Sequence, residues 1–148
     1  MEIYLIIQKL RFSERVNYEI HVDENLNPEN LEILPLFLQP LVENAISHGL
    51  EEVERYGLIN IHVSSKDDEY LLIDVEDNGL GMDEATLTAL KRKLAMPGMH
   101  YTSSIGLYNI AQRIRLFYGE KYSMQVESKE GVGTKVSLIL PLKIIEPE

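Results

Sequence analysis

A stretch written VEDNGLGM, residues 75–82, places a carboxylate directly before two glycines. The carboxylate of Asp77 could accept a hydrogen bond from an amino group of a ligand. Gly79 and Gly81 could let the backbone approach a flat ring, because glycine has no Cβ. The composition Asp-Asn-Gly is also typical of a plain turn, although a turn does not require Gly81. The motif alone leaves a ligand site and a turn as open interpretations.

The spacing in this stretch excludes a calcium-binding loop. If Gly79 takes the loop's glycine position, Ala85 falls where the bidentate glutamate must be. The preceding residues 70–76 also have the period of a strand, whereas the calcium-binding loop of this type follows a helix.

A second segment with polar residues at helical spacing is LQPLVENAISHG, residues 38–49. Asn44 and His48 are four residues apart and share one helical face, where a core-facing position would normally be apolar. Glu43 lies on an adjoining face. Taken alone, the segment also fits a helix whose polar side chains are simply solvated and whose core residues are Leu41, Ala45 and Ile46.

Two glycine-containing segments complete the set of candidate functional residues. Gly106 lies where a loop enters a helix, and the free N–H groups and positive end of a helix suit phosphate. The fourth segment is GVGT, residues 131–134.

The hydrophobic pattern predicts the elements that must position these segments. Helices are predicted over residues 2–11, 36–48, 83–93 and 107–117. Strands are predicted over residues 18–22, 59–64, 70–76, 122–126 and 136–140, with a hairpin at 131–133. Asp83 is predicted to cap the third helix, Gly49 to follow the second, and residues 95–104 to form a loop. Because the strands alternate, we expect one covered sheet face and an α+β fold with helices on one side.

Composition limits the possible partners. The 148 residues suffice for one core, and their net charge is −10. A nucleic-acid backbone or an anionic membrane would be repelled, and a polyphosphate ligand would need a divalent cation. The absence of cysteine, of a signal peptide and of a ~20-residue apolar run predicts a cytoplasmic domain.

Four segments in the order LQPLVENAISHG, VEDNGLGM, SSIGLYNIAQRI and GVGT closely resemble the ATP-binding catalytic domain of sensor histidine kinases. They match the N, G1, G2 and G3 boxes of the superfamily that includes gyrase, Hsp90 and MutL. The form QPLVENA resembles the LytS/YesM-like subfamily of bacterial two-component sensors. The resemblance implies a two-layer α/β sandwich of the Bergerat type, with a mixed sheet and about three helices on one face.

The resemblance also implies an adenine pocket. Asp77 would accept a hydrogen bond from the adenine amino group, and Gly79 and Gly81 would make room for the ring. Met82 closes the same box, and the hydroxyl of Thr134 would support the pocket.

At the other end of the nucleotide the resemblance implies a phosphate and metal site. Asn44 would bind Mg²⁺ through its amide oxygen, and His48 would line the phosphates. Gly106 and Leu107 would offer backbone N–H groups to phosphate. Residues 95–104 would form the lid over the nucleotide.

Three positions depart from the family pattern. Ser47 stands where many histidine kinases have a lysine, and Ser104 stands where the G2 box often begins with glycine. Pro40 takes the position of the general base in superfamily ATPases, so Glu43 is the substitute candidate.

The implied reaction is transfer of the γ-phosphoryl group of ATP to a histidine imidazole. The acceptor would lie on an upstream dimerisation domain, with residues 1–13 as its tail or a linker and residues 14–148 as the catalytic domain. The parent protein would be a homodimer in the bacterial cell membrane that signals to a response regulator. The alternatives are a non-catalytic nucleotide-binding module and a gyrase-type ATPase.

Overall fold

The computed structural model of the chain describes residues 16–27, 34–50, 57–96 and 105–142. The strands are β1 (Val16–Val22), β2 (Gly57–Lys66), β3 (Tyr70–Asp77), β4 (Ser123–Lys129) and β5 (Gly133–Pro141). The helices are α1 (Leu34–Asn44), α2 (Glu84–Ala95) and α3 (Ile105–Tyr118), and a π-helical segment (Ala45–Leu50) continues α1. Within these ranges no helix is long and apolar enough to cross a bilayer.

The five strands form one mixed sheet in the order β1-β2-β3-β5-β4. The β1–β2 pair is parallel. The other three pairs are antiparallel. In the β3–β5 pair Asp77 lies opposite Thr134, so the ends of two candidate segments meet across neighbouring strands.

One face of the sheet is covered and the other is open. Buried residues alternate with partly exposed ones along the strands, as in Ile59, Ile61 and Val63 of β2. The apolar side chains of α1 and α3, such as Leu41 and Ile114, are buried in the same core. The predicted α+β fold with helices on one side of a mixed sheet is confirmed.

Most predicted elements appear within a few residues of their expected bounds. The cap of α2 is confirmed, because the Asp83 carboxylate accepts a hydrogen bond from Thr86 N at 2.7 Å. That bond lowers the pKa of the Asp83 carboxyl below its usual value. The predicted helix over residues 2–11 and most of the predicted lid, residues 97–104, lie outside the described residues.

The prediction that the second helix ends before Gly49 is wrong. The helix changes to π-helical geometry after Asn44, and Gly49 lies inside that segment. Leu50 at the end of the segment is buried, and its side chain lies over Gly57 of β2. Because the helical segment continues to this residue, the Leu50 side chain reaches the core. Its burial offsets the less favourable hydrogen-bond geometry of the π-helical turn.

Two glycines allow the G1 segment to pack backbone to backbone against the β4–β5 hairpin. Gly81 has φ +68°, and a Cβ there would lie 2.0 Å from the carbonyl oxygen of Lys129. Gly133 has φ +145°, and a Cβ there would lie 1.9 Å from the carbonyl oxygen of Asp77. A side chain fits at neither position, so glycine is required by packing even before a ligand is considered.

Candidate functional site

A cavity of about 230 Å³ opens where α1, α2 and α3 meet the ends of β3 and β5. Six of the residues singled out from the sequence line it: Asn44, Asp77, Gly81, Met82, Leu107 and Thr134. Much of the remaining wall is apolar and includes Val75, Leu90 and Val136. An apolar wall with a few polar groups is the usual composition of a small-molecule site.

Asp77 is the buried charged residue of this cavity. It is 7% exposed, and among the described residues no other charged side chain is buried. Its Oδ1 accepts a hydrogen bond from Gly79 N at 2.8 Å. The turn expected from Asp-Asn-Gly therefore exists, and the same carboxylate lines the cavity. A carboxylate has about four acceptor positions, so the turn does not exhaust its capacity.

Asn78 holds the loop that carries Asp77 against the sheet. Its Oδ1 accepts a hydrogen bond from Leu58 N at 2.9 Å, and its own N–H donates to Leu58 O at 3.3 Å. Together with the bond from Gly131 N to Leu80 O at 2.7 Å, these contacts fix the loop at both ends. The loop that carries the Asp77 side chain is thus hydrogen-bonded both to β2 and to the β4–β5 hairpin.

Ser128 of β4 joins two sides of the cavity. Its hydroxyl accepts a hydrogen bond from Met82 N at 2.8 Å and lies 2.8 Å from the Thr134 hydroxyl. We did not predict this residue from the sequence. The sequence does contain a signal for it, because Ser128 is a polar residue two positions after the buried Val126 and therefore lies on the same, covered face of β4.

Asn44 and Gly106 bring α1 and the start of α3 together. A Cβ at Gly106 would lie 3.7 Å from Oδ1 of Asn44. Asn44 is half-buried and faces the cavity. In the described part of the chain no cluster of three or more histidine or acidic residues could hold a metal. A Mg²⁺ ion on the amide oxygen of Asn44 would take its other ligands from phosphate and water, which suits magnesium.

The structure does not bring every predicted residue into the cavity. Glu43 is exposed, accepts a hydrogen bond from Gln39 Nε2 at 3.1 Å and is not in the wall. The backbone of His48 lies in the π-helical segment, but its side chain lies outside the described part. Gly79 contributes through its bond to Asp77 rather than as part of the wall. The Ser47 hydroxyl donates to the backbone carbonyl oxygen of Glu43 at 3.0 Å, one helical turn earlier.

A second, larger cavity of about 580 Å³ lies between α2, α3 and β4. Its wall includes Lys91, Arg115 and Glu127 and none of the candidate site residues. Of these two cavities, only the smaller combines a buried carboxylate with the start of a helix.

A family model and curated relatives match most of this chain. The family model described as histidine kinase-, DNA gyrase B-, and HSP90-like ATPase matches residues 32–144. The sensor protein LytS of Oceanobacillus iheyensis is 34% identical over 143 residues, which is 97% of this chain and 24% of LytS. The sensor histidine kinase YesM of Bacillus subtilis is 35% identical over 140 residues, 95% of this chain and 22% of YesM. The chain thus spans about a quarter of the length of these curated relatives.

A solved structure shares the fold. The histidine kinase domain of the Erythrobacter litoralis EL346 blue-light activated histidine kinase superposes with a TM-score of 0.59 at 21% identity, covering 88% of this chain and 53% of that one. The likeness confirms the fold, and the matched family model confirms the family inferred from the four boxes. The chain belongs to the family of histidine kinase-, DNA gyrase B- and HSP90-like ATPases, and it is homologous to the ATP-binding catalytic domain of the LytS and YesM sensor histidine kinases.

Proposed function

We propose that this domain holds Mg·ATP with the adenine in the 230 Å³ cavity and transfers the γ-phosphoryl group to a histidine on a separate dimerisation domain. One observation carries the proposal. A buried carboxylate, Asp77, and the start of α3 face the same cavity from two sides, with Asn44 beside the helix. This arrangement offers an acceptor for a base amino group and donors for phosphate.

The size of the cavity supports this placement of the nucleotide. A volume of about 230 Å³ falls below the ~300–1,000 Å³ typical of pockets for drug-sized ligands. The cavity therefore suits the base, while the ribose and phosphates extend outside it. The apolar side chains of Val75, Leu90 and Val136 would contact the base, and Asp77 would accept a hydrogen bond from its amino group.

The phosphates would lie toward α3. Gly106 and Leu107 are in the first turn of this 14-residue helix, where backbone N–H groups lack helical partners. The first turn contains no acidic residue that would repel an anion. Mg²⁺ held by Asn44 would offset the triphosphate charge, which matters for a chain of net charge −10.

Transfer would be an in-line displacement. A ring nitrogen of the acceptor histidine forms a bond to the γ-phosphorus, the bond to the bridging oxygen breaks, and ADP leaves. Glu43 is the proposed acceptor of the imidazole proton. Glu43 is exposed and precedes Asn44 in the sequence, so its carboxylate is accessible to the acceptor histidine of the dimerisation domain. His48 would lie beside the phosphates, as the family resemblance implies.

The surroundings of the domain are part of the proposal. Residues 1–13 would be the tail of the dimerisation domain or a linker, and residues 14–148 the catalytic domain. The parent protein would be a homodimer anchored in the bacterial membrane, with this domain in the cytoplasm and a response regulator as the next recipient of the phosphoryl group. The sensor names of the relatives support this role.

Asn44→Ala should weaken binding of Mg·ATP much more than binding of metal-free adenosine. The reason is that only the first ligand uses the ion held by the amide oxygen. Calorimetric titration of the variant with both ligands measures this difference. Equal losses for the two ligands would show that Asn44 acts through structure alone.

The domain by itself should bind ATP without labelling itself. Transfer needs reacting atoms about 3–3.5 Å apart and in line, and His21 and His62 lie in strands β1 and β2 on the open face of the sheet. Incubation with γ-labelled ATP and Mg²⁺ tests this directly. His100, in the predicted lid, is the control position. Stoichiometric acid-labile label that is lost in His100→Ala would place the acceptor inside this chain.

A nucleotide-binding module without transfer is a second candidate, favoured by Ser47. Its hydroxyl donates to helix backbone and brings no cation to the phosphates. Labelled transfer to the dimerisation domain of the parent protein separates the candidates. Alkali-stable, acid-labile label there supports the kinase, no label supports the module, and phosphate release without label supports an ATPase.

A further inference from the structure

Ser128 lies behind the wall of the cavity and makes three close polar contacts. Met82 N donates to its Oγ at 2.8 Å, its Oγ donates to Gly133 O at 3.0 Å, and the Thr134 Oγ1 lies 2.8 Å away. Met82 and Thr134 line the cavity, whereas Ser128 does not. Ser128 therefore reaches a bound ligand only through these two neighbours.

The number of protons in this group fixes the direction of each hydrogen bond. Ser128 and Thr134 each carry one hydroxyl proton, and the carbonyl oxygen of Gly133 can only accept. When Ser128 donates to Gly133, the bond between the two hydroxyls must use the proton of Thr134. The opposite direction would leave two acceptors, Ser128 Oγ and Gly133 O, 3.0 Å apart with no proton between them.

Thr134 then presents only lone pairs to the cavity. Its neighbour across the β3–β5 pair is Asp77, and a carboxylate only accepts hydrogen bonds. Both side chains line the same cavity. Two acceptors side by side match a group with two N–H donors, such as the amino group at C6 of adenine. The same two acceptors would repel a carbonyl oxygen at C6, which hypoxanthine and guanine carry.

We propose that Ser128 is a positioning residue that locks the Thr134 hydroxyl as an acceptor and so selects 6-aminopurine over 6-oxopurine nucleotides. The inference rests on the proposed function, because it requires that the base occupies this cavity. Ser128 acts through Thr134 and makes no contact with the base. Removing the Ser128 hydroxyl frees the Thr134 proton, which can then turn toward the cavity and donate to a 6-oxo group.

The test compares the Mg²⁺ complexes of ATP and inosine triphosphate, which differ in the amino or oxo group at C6. Calorimetry on the wild-type chain should show strong preference for ATP. In Ser128→Ala the preference for ATP, measured as the ratio of the ATP affinity to the inosine triphosphate affinity, should fall about tenfold. This is the size expected when a repulsive contact between two acceptors is replaced by one hydrogen bond. An unchanged or increased ratio would overturn the proposal, since a purely structural role would weaken both ligands alike.

Further variants separate positioning from loss of structure. Ser128→Cys keeps a side chain of similar shape, but its thiol forms much weaker hydrogen bonds, so this variant should also lower the affinity ratio. It replaces Ser128→Ala in the test if that variant does not fold. Ser128→Thr keeps the hydroxyl and should retain the wild-type ratio. When Ser128→Ala is added to a chain that already carries Thr134→Val, the affinity ratio should not change further. A drop as large as in the wild-type background would contradict an effect that acts through Thr134.

The same titrations separate this inference from the proposed function. If the wild-type chain binds neither nucleotide, the proposed function fails at the first step. If it binds ATP in preference to inosine triphosphate and the variants keep that preference, only the role of Ser128 fails.

Discussion

Asp77→Asn should reduce the affinity for ATP ten- to hundredfold, equivalent to about 1.5–3 kcal/mol of binding free energy. The substitution replaces a charged acceptor with an amide that can turn an N–H donor toward the adenine amino group. The amide oxygen can still accept the hydrogen bond that Gly79 N makes with Oδ1 at 2.8 Å. The turn should therefore persist, and the loss should appear in binding rather than in folding.

Asp74→Asn is the matched control for this experiment. Asp74 lies in the same strand, three residues away, but on the open face of the sheet and outside the cavity. The two variants have the same change of charge, so a long-range electrostatic effect would appear in both. Calorimetry with Mg·ATP should show a large loss for Asp77→Asn alone. Unchanged affinity in Asp77→Asn would remove this carboxylate from the site.

Gly133→Ala should strongly destabilise the domain. The new Cβ would lie 1.9 Å from the carbonyl oxygen of Asp77, and the position has φ +145°. Backbone strain and overpacking each typically contribute about 1–3 kcal/mol, so we expect a loss of roughly 2–6 kcal/mol in the free energy of unfolding. That is a large part of the 5–15 kcal/mol typical of whole domains.

Gly131→Ala is the comparison variant without a steric contact. Gly131 is in the same hairpin at φ +78°, but a Cβ there would meet no atom within 4 Å. It should therefore show only the strain of a left-handed alanine, about 1–2 kcal/mol. Urea unfolding of both variants measures the difference. Equal losses would show that the approach of Gly133 to Asp77 is not a tight contact in solution.

The sheet could be predicted from sequence because alternation is a local signal. Strands such as β3 alternate buried and partly exposed residues along their length, and each predicted strand is present. The π-helical segment could not be predicted, because it depends on where Leu50 reaches the core. Hydrogen-bond geometry of that kind is decided by tertiary packing rather than by residue type.

The candidate site was only partly predictable for a related reason. The four boxes identified residues that line the cavity, but box order carries no information on strand register. The pairing of Asp77 with Thr134 and the contacts of Ser128 are between residues far apart in sequence. The glycines were expected to make room for a ring, whereas Gly81 and Gly133 also let two backbones touch.

The place where nucleotide binds can be measured by titrating Mg·ATP into the isotopically labelled domain while recording the backbone amide signals by NMR. Saturable shifts should appear at residues around the smaller cavity, namely Asp77, Gly81, Gly106, Leu107 and Thr134. The larger cavity provides the contrast, because residues 123–127 of its wall belong to β4 at the sheet edge. Shifts confined to that strand, or no shifts with ATP in large excess, would contradict an adenine site built on Asp77.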